Sequence, residues 1–157
     1  MKIFVGTDHA GFGLKEKLVS YLTSLGYEVE DKGAHEYTED DDYPDYIIPV
    51  AREVSMHPNE VKGIILGGTG QGEAMCANKF KNVRATVYYG DAGSVVEDSE
   101  SIIKLSKEHN DANILSIGAR FINEEQMTRV VKEWLDTPFS GDERHVRRIN
   151  KMDHIHE

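Results

Sequence analysis

Apolar residues recur along the chain in two rhythms. The short runs "KIFVG" (2–6), "YEVED" (27–31), "GIILG" (63–67), "RATVYY" (84–89) and "NILSIG" (113–118) have the length and make-up of strands. Between them the spacing stretches to that of helices. Leu14, Leu18, Tyr21, Leu22 and Leu25 share one face before Gly26 supplies a stop. Ile47, Val50, Ala51 and Val54 share another, with Pro44 expected at the first helical position. A further helix is expected at about 101–108, after a solvated loop over 90–100. Asn123 and Gln126 form a capping-box pattern, and Met127, Val130, Val131 and Trp134 mark the buried face of the helix they open. The basic segment "RHVRRINK" predicts a last helix at about 142–154.

Five strands separated by helices imply parallel strands with crossover helices on both faces. The expected fold is a three-layer α/β/α sandwich around a five-stranded parallel sheet. At 157 residues the chain is expected to form a single domain, 1–157, with no internal repeat.

Composition narrows the partners. Hydrophobic residues at 39% and charged residues at 29% suit a packed globule rather than a disordered chain. A formal net charge of -10 argues against a nucleic-acid or anionic-membrane surface, though a local basic cluster can still bind a small anion. The acidic run 39–42 is expected to be a solvated loop. One cysteine permits no internal disulfide and fits a reducing compartment. The opening "MKIFVGTDHAG" has no apolar run of signal-peptide length, and nothing later approaches a membrane span. A soluble cytoplasmic protein is expected.

The chemistry concentrates in "GGTGQGEAMCANK" (67–79), which follows the third strand. In open α/β sheets ligands sit at the carboxyl ends of the strands. There the backbone amides of Gly68, Thr69, Gly70, Gln71 and Gly72 would favour an anion or a developing oxyanion. A phosphate-binding P-loop would end in Gly-Lys-Ser/Thr, and here Gly72 precedes Glu73 and Ala74. The dinucleotide fingerprint would need a glycine where Glu73 stands, and it would follow the first strand. A carboxylate inside a phosphate cradle repels phosphate, so the loop is expected to hold a hydroxyl or enolate. Two side chains compete for the chemistry: Glu73 in the first helical turn, and Cys76, which among small apolar neighbours reads as a packing residue.

"DHAG" after the first strand, "DYPDY", "GGTGQGEAMCANK", "EHNDANILSIGAR" and "RHVRRI" occur in the order found in one family. The chain resembles the type B ribose-5-phosphate isomerases, relatives of galactose-6-phosphate and allose-6-phosphate isomerases, over nearly its whole length. The resemblance implies strand order 2-1-3-5-4 and a likeness to Rossmann-type sheets. It also separates the two candidates. One version of the family carries a catalytic cysteine at the first position of the glycine loop, and the other has glycine there with glutamate after the loop. Gly67 and Glu73 match the second version, so the resemblance makes Glu73 the base, while Cys76 matches neither catalytic position.

The implied reaction moves a proton between C2 and C1 of a sugar phosphate through a cis-enediolate, with no cofactor and no metal. Thr69 and the loop amides would stabilise the enediolate. By resemblance His109 opens the sugar ring as a proton donor, histidine being the side chain that exchanges protons near neutral pH. Asp8 and His9 contact the sugar and Asn110 binds substrate. Asp111 and Asn113 are expected to tie down a turn. Arg120, Arg144 and Arg148 are the candidate phosphate ligands, the last two lying four apart on one helix face, with Arg147 off that face and solvent-exposed. The family's site is shared across a dimer, so a homodimer or dimer of dimers is implied, with His109 or the arginines serving a neighbour's Glu73. "GDAGSVVEDSES" is an apparent insertion relative to the family. Ribose 5-phosphate is the expected substrate, with allose 6-phosphate, galactose 6-phosphate or a tetrose phosphate as alternatives. A non-catalytic sugar-phosphate-binding subunit is a further alternative, against which stands the retention of Glu73, Thr69 and His109.

Overall fold

The computed structural model describes residues 1–91 and 101–155. Five strands, β1 (Lys2–Thr7), β2 (Glu28–Asp31), β3 (Val61–Gly67), β4 (Ala85–Tyr88) and β5 (Ile114–Gly118), form one sheet in the order β2-β1-β3-β5-β4. Every pairing is parallel. The helices are α1 (Phe12–Ser24), α2 (Tyr43–Met56), α3 (Gln71–Ala77), α4 (Ile102–Asn110), α5 (Glu124–Asp136) and α6 (Glu143–Asp153).

Alternation along the strands divides the core into two layers. Ile3, Val5, Ile64, Leu66, Leu115 and Ile117 pack on one face against Leu18, Leu22, Ile103, Val130, Val131 and Trp134 of α1, α4 and α5. Phe4, Ile65 and Ile114 point the other way, against Ile47, Val50, Ala51 and Val54 of α2 and Ala77 of α3. Both faces are covered, which is why the central strands read as continuous apolar runs. The edge strand β2 is the least buried.

The sequence expectations hold at the level of elements and shift at their ends. β3 begins at Val61, two residues early, and α2 begins at Tyr43, which puts Pro44 second in the helix. Proline is tolerated there because the first amides of a helix have no intrahelical acceptor anyway. The Asn123 capping box forms, with Gln126 N donating to Asn123 Oδ1 at 2.9 Å and Asn123 N donating to Gln126 Oε1 at 3.0 Å. Ser101 caps α4 by accepting from Lys104 N. The predicted loop over 90–100, and with it most of the apparent insertion, lies outside the described residues from 92 to 100. No helix among the described residues is long and apolar enough to cross a membrane.

Two buried lysines, Lys15 and Lys107, were not foreseen. Lys15 of α1 is 2% exposed and donates to Asp31 Oδ2 at 2.7 Å and to the Ala34 carbonyl at 2.6 Å. It ties α1 to the end of β2, with its charge and its hydrogen bonds both matched.

Candidate active site

The glycine loop turns sharply where β3 ends. Gly70 has φ +75° and opens α3, a conformation that L side chains avoid, and Ser116 of β5 donates to its carbonyl at 2.6 Å. One turn into α3, Glu73 reaches back over the strand end. Its carboxylate lies so close to Gly67 that a Cβ there would stand 1.8 Å from Oε1. Glycine at 67 is therefore a condition of the carboxylate's position, and a side chain at 67 and this placement of Glu73 exclude one another.

Glu73 is 4% exposed. Burial pushes its pKa above the ordinary carboxylate value, and the charge of Asp8 adds to this, while the amides of Glu73 itself and Gly70 hold it down. A buried carboxyl raised in this way is suited to accept and return a proton near neutral pH. Cys76 is half-buried, and burial, followed by the Glu73 charge, raises its thiol. The thiolate is disfavoured, so Cys76 is a poor nucleophile.

The loop amides are partly engaged. Gln71 N donates to Thr69 Oγ1 at 3.2 Å, and the Gly70 amide serves Glu73. Of the five amides expected to face the crevice, two thus have partners inside the loop. The Tyr43 ring lies over Gly72, where a Cβ would stand 3.0 Å from the hydroxyl.

The first strand delivers Asp8 and His9 to the same end of the sheet. Asp8 is buried and caps the following 3-10 turn by accepting from Ala10 N at 3.0 Å. Arg120, after β5, lays its guanidinium along Gly68, within 3.2 Å of where a Cβ would be. His9 bonds Asp41, with 2.6 Å between Nδ1 and Oδ1. This corrects the expectation of a wholly solvated acidic run. Glu39, Asp40 and Asp42 are exposed, but the Asp41 side chain is only 6% exposed because it faces the imidazole. Among the described residues, Asp8, His9 and Asp41 form the group whose metal-ligating atoms lie within 4.8 Å of one another. Asp8 Oδ1 already accepts from the Ala10 amide, and Asp41 Oδ1 from His9.

His109 lies elsewhere. It sits in the last turn of α4, and the chain then enters β5 at its amino end. There the Asn113 carbonyl accepts from Gly63 N at 3.0 Å and Asn113 Oδ1 accepts from Arg84 N at 2.8 Å. Asp111 adopts the left-handed conformation that ends α4, and its carboxylate meets Arg84 at 3.0 Å. Both residues brace the turn, as expected. Asn110 is exposed and its carbonyl accepts from Arg84 Nε.

The His109 ring stacks on His145 of α6, with centroids 4.3 Å apart and planes 12° apart. His145 is buried and accepts from Arg144 Nε at 3.2 Å. Burial, then the charges of His109 and Arg144, lower its pKa, so its ring is held neutral. Arg144, Arg147 and Arg148 are all exposed, and α6 buries His145 and Ile149 instead. A cleft of about 480 Å³ lined by Phe80, Arg84, Asn110 and Met152 opens at this end, not over Glu73.

The expected site residues therefore form two groups. Glu73, Thr69, Gly68, Gly70, Gln71, Gly72, Asp8, His9 and Arg120 gather at the carboxyl ends of the strands. His109, Asn110, Arg144 and Arg148 lie at the amino ends. Gly63, level with the start of β5, and Gly67, level with its end, stand four residues apart on β3, roughly 13 Å of strand. Glu73 and His109 of one chain therefore stand at opposite ends of the sheet, beyond the hydrogen-bond reach that two groups acting on one small molecule would need. The residues that sequence reasoning missed are Asp41, Tyr43 and His145. Tyr43 lay inside the motif "DYPDY" and His145 inside "RHVRRI", whereas nothing singled out Asp41 among three consecutive aspartates.

The Ribose/Galactose Isomerase family matches residues 3–152. Ribose-5-phosphate isomerase B of Escherichia coli is 38% identical over 157 residues, covering 99% of this chain and 97% of that protein. The Mycobacterium tuberculosis enzyme of the same name is 35% identical, covering 96% and 86%. A crystal structure of ribose-5-phosphate isomerase B from Mycoplasma genitalium with bound ribulose-5-phosphate superposes with a TM-score of 0.88 at 33% identity, covering 98% of this chain and 95% of that one. The Thermotoga maritima structure gives 0.81 at 41% identity, covering 98% and 97%. Sheet order, glycine loop and these matches over almost the whole length agree, and the chain belongs to the ribose/galactose isomerase family.

Proposed function

We propose that this protein interconverts ribose 5-phosphate and ribulose 5-phosphate, with Glu73 as the base. The carrying observation is the Glu73 carboxylate, buried over the end of β3 with its pKa raised and with glycine at 67 to admit it. In the open-chain aldose Glu73 removes the proton from C2, and the electron pair passes into the C1–C2 bond to form a cis-enediolate. The same carboxyl returns the proton to C1, one atom away, giving the ketose. The Thr69 hydroxyl and loop amides donate to the enediolate oxygen. A second proton passes from the C2 hydroxyl to the C1 oxygen, so atoms and electrons balance without a cofactor.

The remaining parts come from two chains. Asp8 and His9 bind the sugar beside Glu73, and Arg120 takes the phosphate from the same side. The partner subunit's His109 protonates the ring oxygen as the bond from C1 to that oxygen breaks and the anomeric hydroxyl gives its proton to solvent, with the partner's Asn110 beside it. Arg144 and Arg148 of the partner complete the phosphate site. The two-ended distribution of site residues favours this dimeric arrangement, because each end holds groups that the other lacks. The acidic surface and the protonated, half-buried Cys76 suit a cytoplasmic enzyme. The test is a panel of ribose, allose, galactose and tetrose phosphates incubated with the purified protein alone. Ribose 5-phosphate is expected to give the highest kcat/KM. A higher value for a six-carbon phosphate would reassign the substrate, and no turnover of any would leave a binding subunit.

A further inference from the structure

His9 has two carboxylate neighbours that are used differently. Asp8 spends its Oδ1 on the Ala10 amide, and its Oδ2 stands 4.0 Å from the His9 ring. Asp41, thirty-two residues away in the segment joining β2 to α2, accepts twice from the same residue. Its Oδ1 takes the His9 backbone N–H at 3.1 Å and stands 2.6 Å from Nδ1. Two bonds to one oxygen fix the histidine's backbone and its ring together. The Tyr37 ring meets the imidazole edge-on, with centroids 6.2 Å apart.

Asp41 Oδ2 is buried with no hydrogen bond of ordinary geometry, and the Tyr46 hydroxyl is the polar group that faces the carboxylate. The contact between Asp41 and His9 decides which nitrogen His9 offers to the crevice. With Nδ1–H committed to Asp41, Nε2 is the free ring atom, an acceptor in the neutral ring and a donor in the cation.

We infer that Asp41 is a positioning residue, which holds His9 with Nε2 presented to the sugar phosphate and keeps the ring cationic while substrate binds. The inference rests on the reading of His9 as a substrate contact. The charges around the ring are Asp41 and Asp8, which favour the cation, and Arg120, which opposes it. The hydrogen bond to Asp41 is the largest influence and raises the pKa of His9. The Tyr46 hydroxyl, from α2, faces Asp41, and burial and then that carboxylate raise its own pKa. A raised histidine keeps its positive charge to higher pH, so attraction for a phosphorylated sugar extends above the range of an ordinary histidine and is lost as pH rises through the raised value.

The experiment uses the full chain labelled with ¹⁵N-histidine, with the His9 signals assigned from the spectrum of His9→Gln. Across about pH 5 to 9, wild-type His9 should titrate above an ordinary histidine, and its neutral form should carry the proton on Nδ1. Asp41→Asn keeps an acceptor oxygen and the shape but removes the charge. It should bring the His9 titration down by about one pH unit, a tenfold change in proton affinity. KM for ribose 5-phosphate should rise in that variant, increasingly so towards high pH, with kcat largely kept. Adding His9→Gln to Asp41→Asn should add little beyond His9→Gln alone. An Nε2–H tautomer in the wild type overturns the inference without any variant, and so does a His9 titration that ignores Asp41→Asn. If Asp41→Asn moves the titration while His9→Gln leaves KM unchanged, Asp41 does position His9 and the substrate contact assigned to His9 is what fails.

Discussion

At the carboxyl ends of the strands Glu73 and Asp8 are buried, His9 is half-buried, and each is held by its neighbours. Glu73 is pressed over Gly67, Asp8 caps its turn, and His9 is clamped by Asp41. At the amino ends His109 is stacked on a buried, neutral His145, and Arg144 and Arg148 stand exposed. The first end can tune a proton acceptor, because burial governs its charge. The second offers cations and a proton donor, with no such carboxylate among the expected site residues there. On the proposed reading each end supplies half of a sugar-phosphate site, and the working unit would be a dimer.

The largest effect is expected at the buried end. Glu73→Gln keeps the shape and cannot accept a proton, so kcat should fall by roughly 10⁴-fold, with KM changed little. The wild-type pH profile gives a second reading of the same group. The base works only when ionised, and its pKa is raised, so turnover should fall as pH drops through a value above that of an ordinary glutamate. An acid limb at the ordinary value would remove burial from the account.

At the exposed end the loss should depend on the substrate. His109→Ala should slow turnover of cyclic ribose 5-phosphate by roughly 10²-fold and spare a substrate that is already linear. Initial rates measured in both directions check this, and equal losses would take ring opening away from His109.

Arg148→Ala should act on KM instead, raising it roughly 10- to 100-fold, as expected when a charged hydrogen bond to phosphate is lost. Arg147→Ala is the internal control one residue away. Equal effects of the two arginines on KM would contradict a phosphate face on α6.

The smallest effect is expected at Cys76. Cys76→Ala should leave kcat/KM within about twofold, and alkylation of the wild type should be slow at neutral pH because the thiol stays protonated. Rapid inactivation by a thiol reagent with Cys76 as the modified residue would reopen its role.

Much of this contrast was legible in the sequence, and the rest was hidden for physical reasons. Strands announced themselves as apolar runs because both faces of the sheet are covered, and Asn123 announced a helix because a cap must satisfy free amides. The glycine loop marked the candidate site by type and spacing, and the family resemblance then chose Glu73 over Cys76 within it. The separation of the two ends was implicit as well. In a parallel sheet a helix starts near the carboxyl ends and finishes near the amino ends, and Glu73 is in a first turn while His109 is in a last one. Lys15 and Asp41 were not legible, since their burial depends on partners 16 and 32 residues away that no local pattern encodes.

The central claim is that one site takes its base from one subunit and its ring-opening acid from another. Inactive Glu73→Gln and inactive His109→Ala proteins can be mixed, allowed to exchange subunits, and assayed with ribose 5-phosphate. Random pairing makes half the dimers mixed, each with one intact site, so about a quarter of wild-type activity should return. No return of activity, with mixed dimers demonstrated, would mean that each chain builds its own site and would contradict the account.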